Sequence, residues 1–139
     1  MAPNPEMAEQ PRVLVVDDED VLRRELIALL EEEGFVVVGE ASNGLAAVNA
    51  CTQIDIDVVL MDLRMPEMNG LDAARSICRE PGAPAVVLLS AYDDPALKET
   101  AAEAGVYEYL VKGCPADDIL EVLQLAAAHK IRARCETVA

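Results

Sequence analysis

Histidine occurs once in the 139 residues, at His129, and the four cysteines, Cys51, Cys78, Cys114 and Cys135, form no C-x-x-C pair. Their gaps match no zinc pattern, so a His/Cys metal site is excluded and free thiols in a reducing compartment are the expectation. Cations are scarce, with 11 Lys and Arg against 26 Asp and Glu and a formal net charge of −15. Phosphate contacts need clustered cations, so direct nucleic-acid binding by this domain is not expected. The excess of acid suits a metal site or a meeting with basic partners. No apolar run approaches the ~18 residues of a membrane span. The N-terminus lacks the charged-then-apolar pattern of a secretion signal. A soluble, cytoplasmic protein with no membrane contact is expected. No internal repeat or low-complexity tract is present.

What is present is a 53% hydrophobic chain of single-domain length. Residues 1–11 hold Pro3, Pro5 and Pro11 without apolar periodicity and are expected to be a disordered lead-in. From Arg12 onward, strand and helix patterns alternate five times. Short Val- and Leu-rich runs predict strands over Val13–Val16, Phe35–Val38, Asp57–Met61, Ala85–Leu89 and Val106–Val111. Apolar runs without alternation are what strands covered on both faces look like. Helical spacing links Leu22, Leu26 and Leu29, then Leu71, Ala74 and Cys78, then Leu97, Ala101 and Ala104. Asp94 reads as a cap, Pro95 as a first-turn residue and Gly105 as a stop. Ala47, Cys51 and Ile54 keep a helical period within 43–54, and a last helix from about Pro115 is expected to bury Ile119, Val122, Leu123 and Ala126. This alternation implies a flavodoxin-like three-layer (βα)5 sandwich, a parallel sheet in the order 2-1-3-4-5 with helices on both faces. The domain is expected over residues 12–130, with 131–139 a tail or linker. Lys130, Arg132 and Arg134 form a short basic end that reads as a linker or a solvated helix terminus.

The polar residues fall at strand ends. Strand one runs into Asp17 and Asp18, strand three into Asp62, strand four into Ser90 and strand five into Lys112. All are carboxyl ends, so all lie on one edge of the sheet, and strands one and three flank the point where the chain order reverses. Two carboxylates ~5 Å apart repel by roughly 3 kcal/mol at an effective dielectric near 20. Three therefore call for a cation, and hard oxygens with room for water and phosphate suit Mg²⁺. A carboxylate beside such an ion can act as nucleophile toward phosphorus and form an acyl phosphate. Lys112 offers a point charge to phosphoryl oxygens, and Ser90 a hydrogen bond. Each residue alone has a plainer reading. An acidic pair after a strand commonly caps a helix, a single Asp before a loop forms a turn, and a lone Lys is usually solvated. Their joint placement argues for a site.

Four segments carry a family resemblance: Val-Leu-Val-Val-Asp-Asp (13–18), Val-Val-Leu-Met-Asp-Leu-Arg-Met-Pro-Glu-Met-Asn-Gly (58–70), Leu-Leu-Ser-Ala (88–91) and Tyr-Leu-Val-Lys-Gly (109–113). Together they resemble the receiver domain of two-component response regulators, over about residues 12 to 130. Val-Val-Gly-Glu-Ala-Ser-Asn-Gly (37–44) resembles the subfamily that often carries a C-terminal helix-turn-helix output domain. The resemblance implies that Asp62 is the phosphoacceptor and that Mg²⁺ is held by Asp17, Asp18, Asp62 and the main-chain carbonyl of Arg64. It implies phosphoryl contacts from Ser90, Ala91 and Lys112, a switch made of Ser90 and Tyr109, and a loop shaped by Pro66 and Gly70. Arg64 and Tyr92 would flank the site and tune hydrolysis of the acyl phosphate. The implied partners are a sensor histidine kinase or phosphotransfer protein, an output domain or partner protein, and a second copy on phosphorylation. The moving surface would comprise helix four, strand five and helix five.

Gly113 departs from the family pattern, in which Pro often follows the lysine with a cis bond. A non-proline cis bond costs ~3 kcal/mol, so a trans bond is predicted here. Two rival functions follow from the same residues. One is a phosphorylation-independent interaction module that kept the fold. The other is an Asp-nucleophile phosphatase, which typically places a general acid two residues after the nucleophile, where this chain has Arg64.

Overall fold

The computed structural model describes residues 10–65 and 67–138, with side chains through Ile131. Residues 1–9 of the expected lead-in and Pro66 therefore lie outside the described residues. The elements run β1 (Arg12–Val16), α1 (Asp20–Glu32), β2 (Val36–Ala41), α2 (Gly44–Gln53), β3 (Val58–Asp62), α3 (Gly70–Cys78), β4 (Ala85–Ser90), α4 (Pro95–Glu103), β5 (Glu108–Val111) and α5 (Ala116–Val138). The strands form one parallel sheet in the order β2-β1-β3-β4-β5.

The apolar runs are explained by what covers the sheet. Val13 and Val15, Val58 and Leu60, Val87 and Leu89 face one layer, built on Leu26 and Leu30 of α1 and Ile119, Leu123, Ala126 and Ala127 of α5. The intervening Leu14 and Val16, Val59 and Met61, Val86 and Leu88 face the other layer, with Ala47 of α2, Ala73, Ala74 and Ile77 of α3, and Ala101 of α4. A central strand covered on both sides has no polar face to expose, so alternation disappears. Truncating a fully buried residue such as Leu60 to alanine would cost about 2–5 kcal/mol.

The edge strands differ from expectation for the same reason. β2 begins after Phe35 and runs on through Gly39 and Glu40 to Ala41. An edge strand can expose one face and needs no continuous apolar run, so Glu40 does not end it. A register shift between Val13 and Leu14 lets β1 follow it. β5 is shorter than expected because the Val106 amide still donates to Ala101 at the end of α4, at 3.1 Å, and sheet bonding starts with Tyr107 on Val86 at 2.8 Å. The buried positions of α1 are Leu26 and Leu30, with Leu22 and Leu29 only partly covered, and Val122 of α5 is likewise partly covered.

The sequence signals for α4 hold in detail. Asp94 accepts the Ala96 amide at 2.9 Å, Pro95 opens the helix and Gly105 follows it at φ +97°. Lys130 does not belong to a solvated basic end. It is buried and donates to the carbonyls of Gly82 and Ala83, the latter at 2.8 Å. The side chains of Arg132, Arg134 and Cys135 lie outside those described. α5 continues to Val138, through the boundary expected at residue 130. Cys51, Cys78 and Cys114 are free thiols, and burial, with a smaller effect of Cys78, pushes Cys51 up to about 11. Among the described residues no helix is long and apolar enough to cross a membrane.

Candidate functional site

β1 and β3 are neighbours, and at the carboxyl edge of the sheet β1 leads into Asp17 while β3 ends on Asp62. The structure brings Asp17, Asp18 and Asp62 together, each offering a carboxylate oxygen within 4.8 Å of the others. Asp17 and Asp62 are buried, and Asp18 is exposed. Lys112, just past β5, places Nζ 3.3 Å from Asp62 Oδ2 and 3.8 Å from Asp17 Oδ2. Its own amide donates to the Ser90 carbonyl at 2.6 Å, which fixes the lysine to the end of β4.

The capping explanation for the acidic pair does not apply. The residue preceding α1 is Glu19, and it makes no side-chain cap. Asp17 instead accepts the Glu19 amide on Oδ1 at 2.8 Å, leaving Oδ2 toward the cluster. Gly70 explains how the loop after β3 folds back. Its amide donates to the Leu63 carbonyl at 2.7 Å, and a Cβ there would collide with the Asp62 carbonyl oxygen. The Lys112–Gly113 bond is trans, since no described peptide is cis, and Gly113 turns away at φ +98°, a region closed to most side chains.

The electrostatics favour a cation. Burial raises the pKa of Asp62 above the ordinary carboxylate value, opposed by the charge of Lys112. The neighbouring Asp17 raises it further, while the Lys112 and Arg64 amide hydrogen bonds lower it. One lysine against three carboxylates leaves net negative charge, and three hard oxygens on one rim fit the donor set Mg²⁺ prefers.

Ser90 is fully buried, and its Oγ accepts the Tyr92 amide at 3.0 Å. Ala91 follows it, exposed on the rim. Tyr109, half-buried, donates its hydroxyl to the Tyr92 carbonyl at 2.6 Å. The Arg64 guanidinium stacks 4.6 Å from the centre of the Tyr92 ring. Tyr92 is thus held on its amide, its carbonyl and its ring, a junction that sequence reasoning missed because two of the three contacts are to main chain.

A second missed residue is Arg23 on α1. Its side chain is only 11% exposed. It donates from NH1 to the Asp17 carbonyl at 2.7 Å, from Nε to Glu40 at 2.8 Å and from NH2 to Asp20 at 2.7 Å. The Glu40 hydrogen bond, then that of Asp20, raises its pKa further above the ordinary guanidinium value. Nothing in the sequence distinguishes it from the neighbouring solvated Arg24 except its position five residues after the acidic pair.

The family profile of the response regulator receiver domain matches residues 13–124. The transcriptional regulatory protein PdtaR of Mycobacterium tuberculosis is 39% identical over 118 residues, covering 85% of this chain and 57% of that protein. The chain therefore spans little more than half the length of that relative. The chemotaxis protein CheY of Listeria monocytogenes is 34% identical over 116 residues, 84% of this chain and 98% of CheY. The signal receiver domain of the response regulator NarL from Mycobacterium tuberculosis superposes with a TM-score of 0.79 at 34% identity, covering 86% of this chain and 98% of that one. A parallel sheet of this strand order, an acidic rim at its switch point and a receiver-domain match over residues 13–124 lead to one assignment: the chain belongs to the response regulator receiver domain family, signalling switches of two-component systems rather than classical enzymes.

Proposed function

We propose that this domain accepts a phosphoryl group on Asp62 from a phosphohistidine of a sensor kinase or phosphotransfer protein. The supporting observation is the convergence of three carboxylates within 4.8 Å, with Lys112 at 3.3 Å from Asp62. An Asp62 oxygen attacks phosphorus in line as the phosphorus–nitrogen bond to the donor imidazole breaks, giving an acyl phosphate and a neutral imidazole. Mg²⁺, held by Asp17, Asp18, Asp62 and the Arg64 main-chain carbonyl, would neutralise charge on the transferring oxygens. Lys112 moves its ammonium from the carboxylate to a phosphoryl oxygen, and Ala91 leaves the approach open on that side.

Ser90 and Tyr109 form the switch. The phosphoryl group adds about −1.5 to −2 charges. Drawing the Ser90 hydroxyl toward it frees the Tyr92 amide. The loop after β4 then shifts, the Tyr109 hydroxyl loses its carbonyl partner, and the α4–β5–α5 surface changes shape toward an output domain, a partner or a second copy. The setting would be the cytoplasm. The phosphatase alternative gains no support, because the position that would carry its general acid is Arg64, whose guanidinium lies on Tyr92. The interaction-module alternative predicts no metal dependence.

Incubation with acetyl phosphate and Mg²⁺ should give one phosphoryl group per chain by intact mass, with none in chelator and none in Asp62→Asn. Labelling of Asp62→Asn at the wild-type level would refute the acceptor assignment.

A further inference from the structure

The acid cluster has a support on the side away from Lys112. Asp17 supplies its carboxylate to the cluster, but its main chain is anchored by the NH1 donor of Arg23 at 2.7 Å. The same guanidinium is clamped by Glu40, the penultimate residue of β2, and by Asp20, the first residue of α1. Both carboxylates are more than half exposed, at 53% and 69%, whereas the arginine side chain is 11% exposed. A solvated ion pair would leave the cation exposed as well. This one is largely covered because it ties the ends of β1 and β2 to the start of α1, using three donors of a rigid planar fork.

We infer that Arg23 is a positioning residue for the metal-binding carboxylate of Asp17, holding that residue's main chain so that its side chain stays aimed at Asp62. The inference rests on the proposed reading of the acid cluster as a Mg²⁺ site. Groups that orient metal ligands from behind commonly influence affinity as much as 10–100-fold. Arg23 spares the ligand itself, because it bonds the carbonyl and leaves Asp17 Oδ1 to the Glu19 amide and Oδ2 to the cluster.

The sign of the effect separates positioning from simple charge. Arg23 is a cation attached to a cation site. By Coulomb's law alone, Arg23→Ala removes a repulsion and should tighten Mg²⁺ binding. Positioning requires the reverse. Isothermal titration of Mg²⁺ into the metal-free folded domain should show Arg23→Ala binding about tenfold more weakly than wild type. Arg23→Lys, which keeps the charge but cannot span three acceptors, should also bind several-fold more weakly, and it carries the test if the alanine variant folds poorly. Circular dichroism and a thermal melt check folding separately. A purely structural brace would lower the melting temperature and leave the Mg²⁺ affinity of the folded variant unchanged. Equal or tighter binding by a folded variant overturns the inference while the wild-type site stands. Absence of Mg²⁺ binding by wild type overturns both.

Discussion

β3 carries a buried aspartate at each end, and the two ends behave in opposite ways. Asp57, just before the strand, is 4% exposed, and Asp62, its last residue, is 8% exposed. Asp57 accepts the Arg12 amide at 2.9 Å, donates its own amide to the Arg12 carbonyl at 2.9 Å and accepts the Ala85 amide at 3.0 Å. It joins the starts of β1, β3 and β4. Lys130, buried near the same edge, faces the carbonyls of Gly82 and Ala83. The hydrogen bonds of both residues to backbone groups tie neighbouring segments together, and the result is a staple. At the other edge, Asp62 meets Asp17 and Asp18, with the Lys112 ammonium 3.3 Å away. Burial is similar, and what marks the site is the clustering of three carboxylates with Lys112 3.3 Å from Asp62.

The sharpest way to break this comparison is to add the missing counter-charge. A ligand that binds only the folded state, present at 100 times its dissociation constant, stabilises by about 2.7 kcal/mol. Mg²⁺ at that excess should raise the urea midpoint of wild type accordingly and that of Asp62→Asn far less. An Asp57→Ala variant, altered only at the stapled end, should keep the whole gain. If it loses the gain, the two ends are not independent.

Next in size is the staple itself. Asp57→Ala removes a charged acceptor from a buried amide and should cost about 2 kcal/mol in chemical denaturation. Asp62→Asn should act in the opposite direction in chelator at neutral pH, by a smaller amount, because burial and then Asp17 disfavour the charge at Asp62 by more than Lys112 favours it. Burial first, and Asp17 after it, raises the folded-state pKa of Asp62 over the ordinary 3.8. A group with a raised folded pKa contributes stability below its unfolded pKa and loses it as pH rises through the folded value. The advantage of Asp62→Asn over wild type should therefore be absent below 3.8, grow through the window above it and level off toward neutrality. An advantage that grows toward acid would contradict this reading of the site.

How much of this was legible beforehand follows from what each residue faces. The cores of β1, β3 and β4 were readable because strands covered on both sides must be apolar throughout. Glu40 concealed the length of β2 because an edge strand is free to carry it. Asp17, Asp18 and Asp62 could be placed together from strand order alone, since carboxyl strand ends share one edge in a parallel sheet. Lys130 was misread because a sequence displays a charge without the carbonyls that bury it. Arg23 and the Tyr92 junction stayed hidden for a related reason: their partners include the main-chain atoms of Asp17 and Tyr92, and such bonds leave no pattern in the side chains.

The smallest effect belongs to the exposed rim of the site. Arg64 is solvent-facing, yet its guanidinium lies 4.6 Å from the Tyr92 ring centre, bridging the loops after β3 and β4. A cation over an aromatic face at an exposed position contributes about 0.5–1 kcal/mol. A double-mutant cycle with Arg64→Ala and Tyr92→Ala should return a coupling in that range for stability. The same stack sits beside the proposed acceptor, so opening it should also change the decay rate of the acyl phosphate. In wild type the Arg64 guanidinium is engaged with a neutral ring. If the cycle gives no coupling, Arg64 belongs to the charge balance of the site, and removing it alone should shift Mg²⁺ affinity in the direction Coulomb's law requires.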